Sequence, residues 1–324
     1  MGGGLSPYGM HFGSDKDLYN VFVKPFADVV TTAAGKTKEI SKSAQNLLRT
    51  SFEAIGTTVL PMFKDDYERI FADEKNAIDK IRREYADVYK SNWDAFQKDD
   101  ALCVAFAYRP DLFLDVAAVK KAPKVAVKML SVLSGGSLDP IITKLFKKAA
   151  QKKGKNEEDI VKQLAKLYAD KGEKGKKHES IIREEDGNES SNPLVTLVTN
   201  KDVMNVIANN PRVVAMEKEG KNIVRTTLAN AYKQVRSVAQ AKNIDDLQKI
   251  LGKPIEGADQ LKQLQPQERQ AAEANLVKTL KQSIKEFYAK NLEAQVKSAI
   301  DHGVPQNHPY VNDYKSVIQK IKAL

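Results

Sequence analysis

The densest charge in the chain lies between Lys144 and Lys177, where 12 lysines stand against five acids. Lys144, Lys147, Lys148, Lys152, Lys153, Lys155, Lys174, Lys176 and Lys177 are of the type and spacing to attract phosphates, nucleic acid, anionic lipid or an acidic partner. An ammonium is a compact point charge, whereas reading a base edge calls for the planar fork of a guanidinium. The stretch has no arginine, and its aromatics are Phe146 and Tyr168. It can therefore bind phosphate non-specifically, but it is not equipped for sequence-specific DNA recognition. A solvated lysine-rich connector is the plainer use of the same residues.

A second feature is the start, Met1-Gly2-Gly3-Gly4-Leu5-Ser6, with Gly at two and Ser at six as in an N-myristoylation acceptor. Gly2 would carry the acyl chain. One such chain gives only marginal membrane affinity, so the lysines above would be the second signal. Pro7 departs from the usual acceptor pattern, and a Gly-rich arm docking on a neighbour is the plainer reading.

Catalytic chemistry finds little footing. Cys103 sits in an apolar run, as a small core residue does. No Gly-x-Ser-x-Gly elbow is present to present a serine. Asp65-Asp66 and Asp99-Asp100 are sequence neighbours, which point apart on a helix, so capping or solvation suits them better than acid–base work. Gly35-Lys36-Thr37 echoes the end of a phosphate-binding loop, but Val30 occupies the place of its earlier glycine. His11, His178, His302 and His308 are too scattered for a metal motif. The expectation is a protein with no catalytic, cofactor or metal site. Tyr85, Tyr89 and Trp93 belong to an aromatic-rich helical stretch, which is core or helix–helix contact by default and a partner interface in part.

Helices must position these groups. Ser14 ahead of Asp15 and Asp17 is a plausible N-cap. Ile40, Ala44, Leu47, Leu48, Phe52, Ile55 and Val59 recur at helical spacing, and Thr57, Thr58 and Pro61 mark a break or kink. Tyr67, Ile70, Phe71, Ile78, Ile81, Tyr85, Val88 and Phe96 predict a helix over 62–98, with Asp65–Arg69, Asp79–Arg83, Lys80–Glu84 and Arg83–Asp87 spaced four apart. Residues 101–134 are the most apolar, divided by Pro110 and Pro123, ended by Gly135 and Gly136, and are the expected core of a first domain. Two short basic helices broken near Gly154 should follow, then a polar, turn-rich boundary over 172–193. Further on, Pro211 can open a helix, Asn243 to Gly252 reads as a capped one, and Pro266 opens the longest of this part, stopped by Gly303 and Pro305. A last short helix covers about 312–322, and Leu194 to Val198 is a weak strand candidate.

The fold class is therefore all-α, an irregular multi-helix bundle with two helical regions joined by a basic, polar connector. The expected division is a flexible Gly-rich arm at 1–14, an N-terminal helical domain at 15–136, a lysine-rich segment at 137–193 and a C-terminal helical domain at 194–324. Strands and helices do not alternate, which argues against the usual nucleotide-binding α/β folds.

Composition agrees. The 324 residues are 42% hydrophobic, enough for a sizeable core, and carry a net charge of +10. That charge is uneven: residues 1–100 hold 14 basic and 16 acidic groups, 101–192 hold 18 and 13, and 193–324 hold 20 and 13. The longest run without Asp, Glu, Lys or Arg is 14 residues, short of the ~20 that span a bilayer. The N-terminus lacks the basic start and apolar stretch of a secretory signal. One cysteine excludes an internal disulfide and points to a reducing setting.

The MGGGLS start resembles that of myristoylated virion proteins of large eukaryotic double-stranded DNA viruses, and Gly-rich starts also occur in internal and tail proteins of tailed phages. The resemblance covers six residues. It departs from the cysteine-rich, membrane-anchored proteins by which those viruses penetrate cells. It implies a virion component found in the particle and the host cytoplasm, such as a minor capsid, tail or internal protein. The expectation is thus a non-enzymatic structural or assembly protein that bridges larger subunits through helical surfaces. The alternatives are a non-specific nucleic-acid-associated protein and a peripheral membrane protein with acylated Gly2.

Overall fold

Helix ends in this chain are set by capping groups that are local in sequence. Asp99 Oδ1 accepts the Leu102 amide at 2.9 Å. Asn200 Oδ1 accepts the amides of Asp202 and Val203, and Asn210 Oδ1 that of Arg212. Asn243 Oδ1 accepts the Asp246 amide at 2.8 Å, and nine residues after Asn243 Gly252 closes the same helix at φ 69°, a left-handed conformation that only glycine adopts cheaply. At Gly135 and Gly136 the amides return to the carbonyls of Val132 and Ser131, the paired bonds of a Schellman stop.

The structure, a computed structural model, describes residues 42–86, 99–114, 123–152 and 193–324. They form α1 (Lys42–Glu84), α2 (Asp100–Tyr108), α3 (Pro123–Leu133), α4 (Asp139–Lys152), α5 (Pro193–Thr199), α6 (Lys201–Ala208), α7 (Pro211–Gln240), α8 (Ile244–Leu251), α9 (Pro266–Asp301) and α10 (Pro309–Ala323). Short 3-10 turns lie at Pro110–Phe113 and Asp259–Gln263. There is no strand among the described residues, so the all-α class holds.

Three expectations change. First, α1 runs through Pro61 without ending. A mid-helix proline removes one backbone bond and crowds the preceding turn, at about 3 kcal/mol. Burial of Met62, Phe63, Tyr67 and Phe71 just beyond it favours the unbroken helix. Second, Leu194–Val198 is helical, within α5. A short apolar run does not distinguish strand from buried helix by period. Here Pro193 opens the turn, Leu194 and Leu197 are buried, and the Thr199 hydroxyl donates to the Val195 carbonyl at 2.7 Å. Third, Arg69 pairs with Asp66 and Arg82 with Asp79, three apart rather than four.

The chain divides into two compact units that are not sequential. Unit 1 draws on Met1–Lys75, Arg225–Ser298 and Asn312–Leu324, and unit 2 on Asn76–Val224 and Ala299–Val311. The units divide within α1, α7, α9 and α10. The physical reason is helix length: α1, α7 and α9 each contribute residues to both units.

In unit 1 the core gathers around Tyr67. Its ring stacks on Phe71 at 4.3 Å and meets Phe287 and Tyr288 edge-on at 5.6 and 5.4 Å. Its hydroxyl accepts a hydrogen bond from the Gln295 amide at 2.7 Å. In unit 2 every residue of α2, from Asp100 to Tyr108, is buried, as expected of the apolar stretch it opens. Cys103 lies there as a fully buried thiol. Gly220 of α7 lets the α2 backbone approach closely, since a Cβ built on it would stand 2.7 Å from the Tyr108 nitrogen.

Candidate functional site: a lysine-lined cleft in unit 1

On α9 the apolar positions Leu276, Leu280, Ile284, Phe287 and Leu292 are buried and fix the rotation of the helix. Lys278, Lys281 and Lys285 follow at i, i+3 and i+7, a narrow stripe on one face. This stripe borders a cleft of about 700 Å³. The other lining comes from the last turns of α7 (Val235, Ala239, Gln240), then Ala241 and Lys242, with Ala274, Val277 and Gln282 from α9 and Leu324. Alanines leave the space open, and Asn243 turns the chain there by capping α8.

The side-chain charge lining this cleft has one sign. Lys242, Lys278, Lys281 and Lys285 line it, and no Asp or Glu does. Four other lysines of unit 1 are paired, Lys253 with Asp65, Lys262 with Asp259, Lys290 with Glu286 and Lys322 with Glu293, whereas Lys233, Lys297 and Lys320 make no ion pair among the described residues. Among the described residues, none of the four cleft ammonium groups pairs with a carboxylate. Lys281 and Lys285 are half-buried, and valines and alanines share the lining with them. Such a lining can hold an anion. It offers no cysteine, serine, histidine or acid for covalent or proton-transfer chemistry.

Unit 2 uses its ionisable groups differently. Arg82 meets Asp100 at 2.5 Å and Asp79 at 3.2 Å. Arg109 makes two bonds to Asp111, at 2.7 and 2.6 Å, a bidentate pair that holds its charge firmly. Asp99, besides capping α2, receives His302 Nδ1 at 2.7 Å. His308 is fully buried between the rings of Tyr108 and Phe113. Its Nδ1 accepts the Tyr310 amide at 3.0 Å, so the neutral ring carries its proton on Nε2. Burial pushes its pKa down to about 4, against smaller opposing effects of the Arg109 and Ala105 backbones and Asp111. In unit 1, burial similarly raises the Asp66 carboxyl although Arg69 stands beside it, and it raises the Tyr288 hydroxyl.

The residues singled out from sequence are only partly in view. Lys144, Lys147 and Lys148 lie on α4, with Lys144 and Lys148 exposed one turn apart and Ile142 and Phe146 buried on the other side. Lys152 is the last residue of α4. Lys153, Lys155, Lys174, Lys176, Lys177, Gly2, Tyr89, Trp93 and the Gly35-Lys36-Thr37 echo lie outside the described residues. Tyr85 is 4% exposed, with the Arg212 guanidinium 5.6 Å from its ring centre, which leaves little of it for a partner. The cleft lysines were missed, because a linear count favours dense runs. Two signals for them were present, the basic excess of 193–324 and the helical spacing of Lys278, Lys281 and Lys285.

Among the described residues no helix is long and apolar enough to cross a membrane, and no group of His, Cys, Asp and Glu is placed to hold a metal ion. No family model, curated protein or solved structure matches the chain.

Proposed function

We propose that the protein is a non-enzymatic assembly protein that attaches to a larger particle through charge on helical surfaces. The observation that carries this is the side-chain charge lining the unit 1 cleft, four lysines with no Asp or Glu among them. Among the described residues, several ionisable groups elsewhere are engaged in the fold: Asp99 as a cap, Arg82 with Asp100, Arg109 with Asp111, and His308 between two rings. The exposed Lys144 and Lys148 of α4 extend the same basic character to unit 2. Following the resemblance of the MGGGLS start, we take the particle to be a virion and the protein to be a minor capsid, tail or internal component.

A second reading, a non-specific nucleic-acid-associated protein, is favoured by the all-lysine composition of the cleft charge. The two separate on sedimentation of a native source extract with and without nuclease and with and without detergent. The assembly reading expects co-migration with a large particle that survives both treatments. Release by nuclease favours the nucleic-acid reading, and release by detergent the acylated-Gly2 alternative. A protein that stays at the top of every gradient removes the proposal.

A further inference from the structure

We infer that the unit 1 cleft is a binding site for linked phosphates, a short oligophosphate chain either free or carried by a larger molecule. The inference rests on the reading above in taking the cleft lysines as the working charge, and it names the chemistry they take. At 1.5 Å per residue, Lys278 to Lys285 covers about 10 Å of α9, and Lys242 approaches from the other wall. That row is long enough to meet more than one phosphate. The cleft volume, about 700 Å³, is of the size that holds a small ligand.

The donor set selects among anions. Four ammonium groups in so small a space are best offset by a ligand that packs several negative charges into little volume, as linked phosphates do. An acidic peptide brings one charge per residue together with backbone polar groups. The lining has two glutamines for those groups and no guanidinium for bidentate carboxylate recognition. Single-stranded nucleic acid is held by stacking bases on aromatic side chains beside a basic groove, and no aromatic lines this cleft. Instead the floor is valine and alanine, which lowers the local dielectric around charges without contacting bases.

The test is calorimetric titration of the full chain with inorganic tripolyphosphate, repeated with hexaglutamate and with a short single-stranded DNA lacking terminal phosphates. Tripolyphosphate should bind one to one and weaken as salt rises. K281Q/K285Q should reduce its affinity about tenfold, a modest loss for two contacts to a charged group. K297Q, an exposed lysine on α9 outside the cleft, should change nothing. Circular dichroism on each variant checks that the fold is intact. Equal or tighter binding of hexaglutamate, with the same dependence on Lys281 and Lys285, overturns the phosphate assignment and leaves the assembly reading standing. Tighter binding of the DNA with that dependence overturns it in favour of a nucleic-acid backbone. Tripolyphosphate binding that K281Q/K285Q does not affect places the anion elsewhere and removes the site. No binding of any probe removes both the site and the role given to its charge.

Discussion

The cleft of unit 1 and the interior of unit 2 treat charge in opposite ways. In unit 2 three charge pairs near the core lie within the fold: Arg82 with Asp100, Arg109 with Asp111, Asp99 with His302. Its buried His308 is held neutral. In the unit 1 cleft, four lysines share a concave surface with no Asp or Glu. The first arrangement makes charge part of the stability of the fold, because a buried ion that loses its partner is costly. The second contributes little to stability and leaves a field directed at whatever enters. Substitutions should therefore divide the same way, with large stability effects in unit 2 and binding effects without stability loss in the cleft.

The largest effect is expected at Asp100. D100A removes the partner of an Arg82 side chain that is 18% exposed, and should destabilise by about 3 kcal/mol in urea unfolding. A change below about 1 kcal/mol would mean that this pair is surface-like after all.

Next comes pH. The folded His308 pKa is about 4 and the unfolded value 6.5. Above 6.5 both states hold a neutral ring. Between those values the unfolded chain binds a proton and the folded one does not, so stability falls with acid. Below about 4 the loss is complete, at on the order of 3 kcal/mol. Comparing wild type with H308Q cancels the carboxylates common to both, and the difference in slope should lie in that window. Parallel curves would contradict the buried neutral ring.

Gly220 sharpens the packing side. G220A should gain helix propensity yet lose about 2 kcal/mol net, because its Cβ would meet the α2 backbone rather than a flexible side chain. A stabilised G220A in thermal unfolding would show that α2 and α7 can part. N243A, which deletes the α8 cap, should cost about 1 kcal/mol by the same readout. Smallest is K281Q/K285Q, expected within about 0.5 kcal/mol of wild type in stability while losing anion affinity.

Legibility followed the range of the interaction. Asn243 and Gly252 were readable because a cap and its helix lie within ten residues. The buried α2 was readable because its side chains are apolar almost without interruption, and Asp99 as a helix start because capping is local. Pro61 misled because its local cost is outweighed by the packing of Phe63, Tyr67 and Phe71, which no short window contains. Leu194–Val198 was ambiguous because five residues are too few for the two periods to separate. The two units were not legible in the sequence, because α1, α7 and α9 each contribute to both and no composition shift marks a division inside a helix. The cleft needed tertiary structure: Lys242 and Lys285 are 43 positions apart and meet only when α7, the turn after it and α9 pack.

The central claim, that the cleft lysines are the working charge, is tested most directly by amine labelling read out by mass spectrometry. The protein is labelled once purified and once within the particle fraction of a native extract. Lys242, Lys278, Lys281 and Lys285 should react in the purified protein and be protected in the particle, while Lys262 and Lys322, already paired with Asp259 and Glu293, should react alike in both. Cleft lysines that label equally in the two fractions would contradict the account.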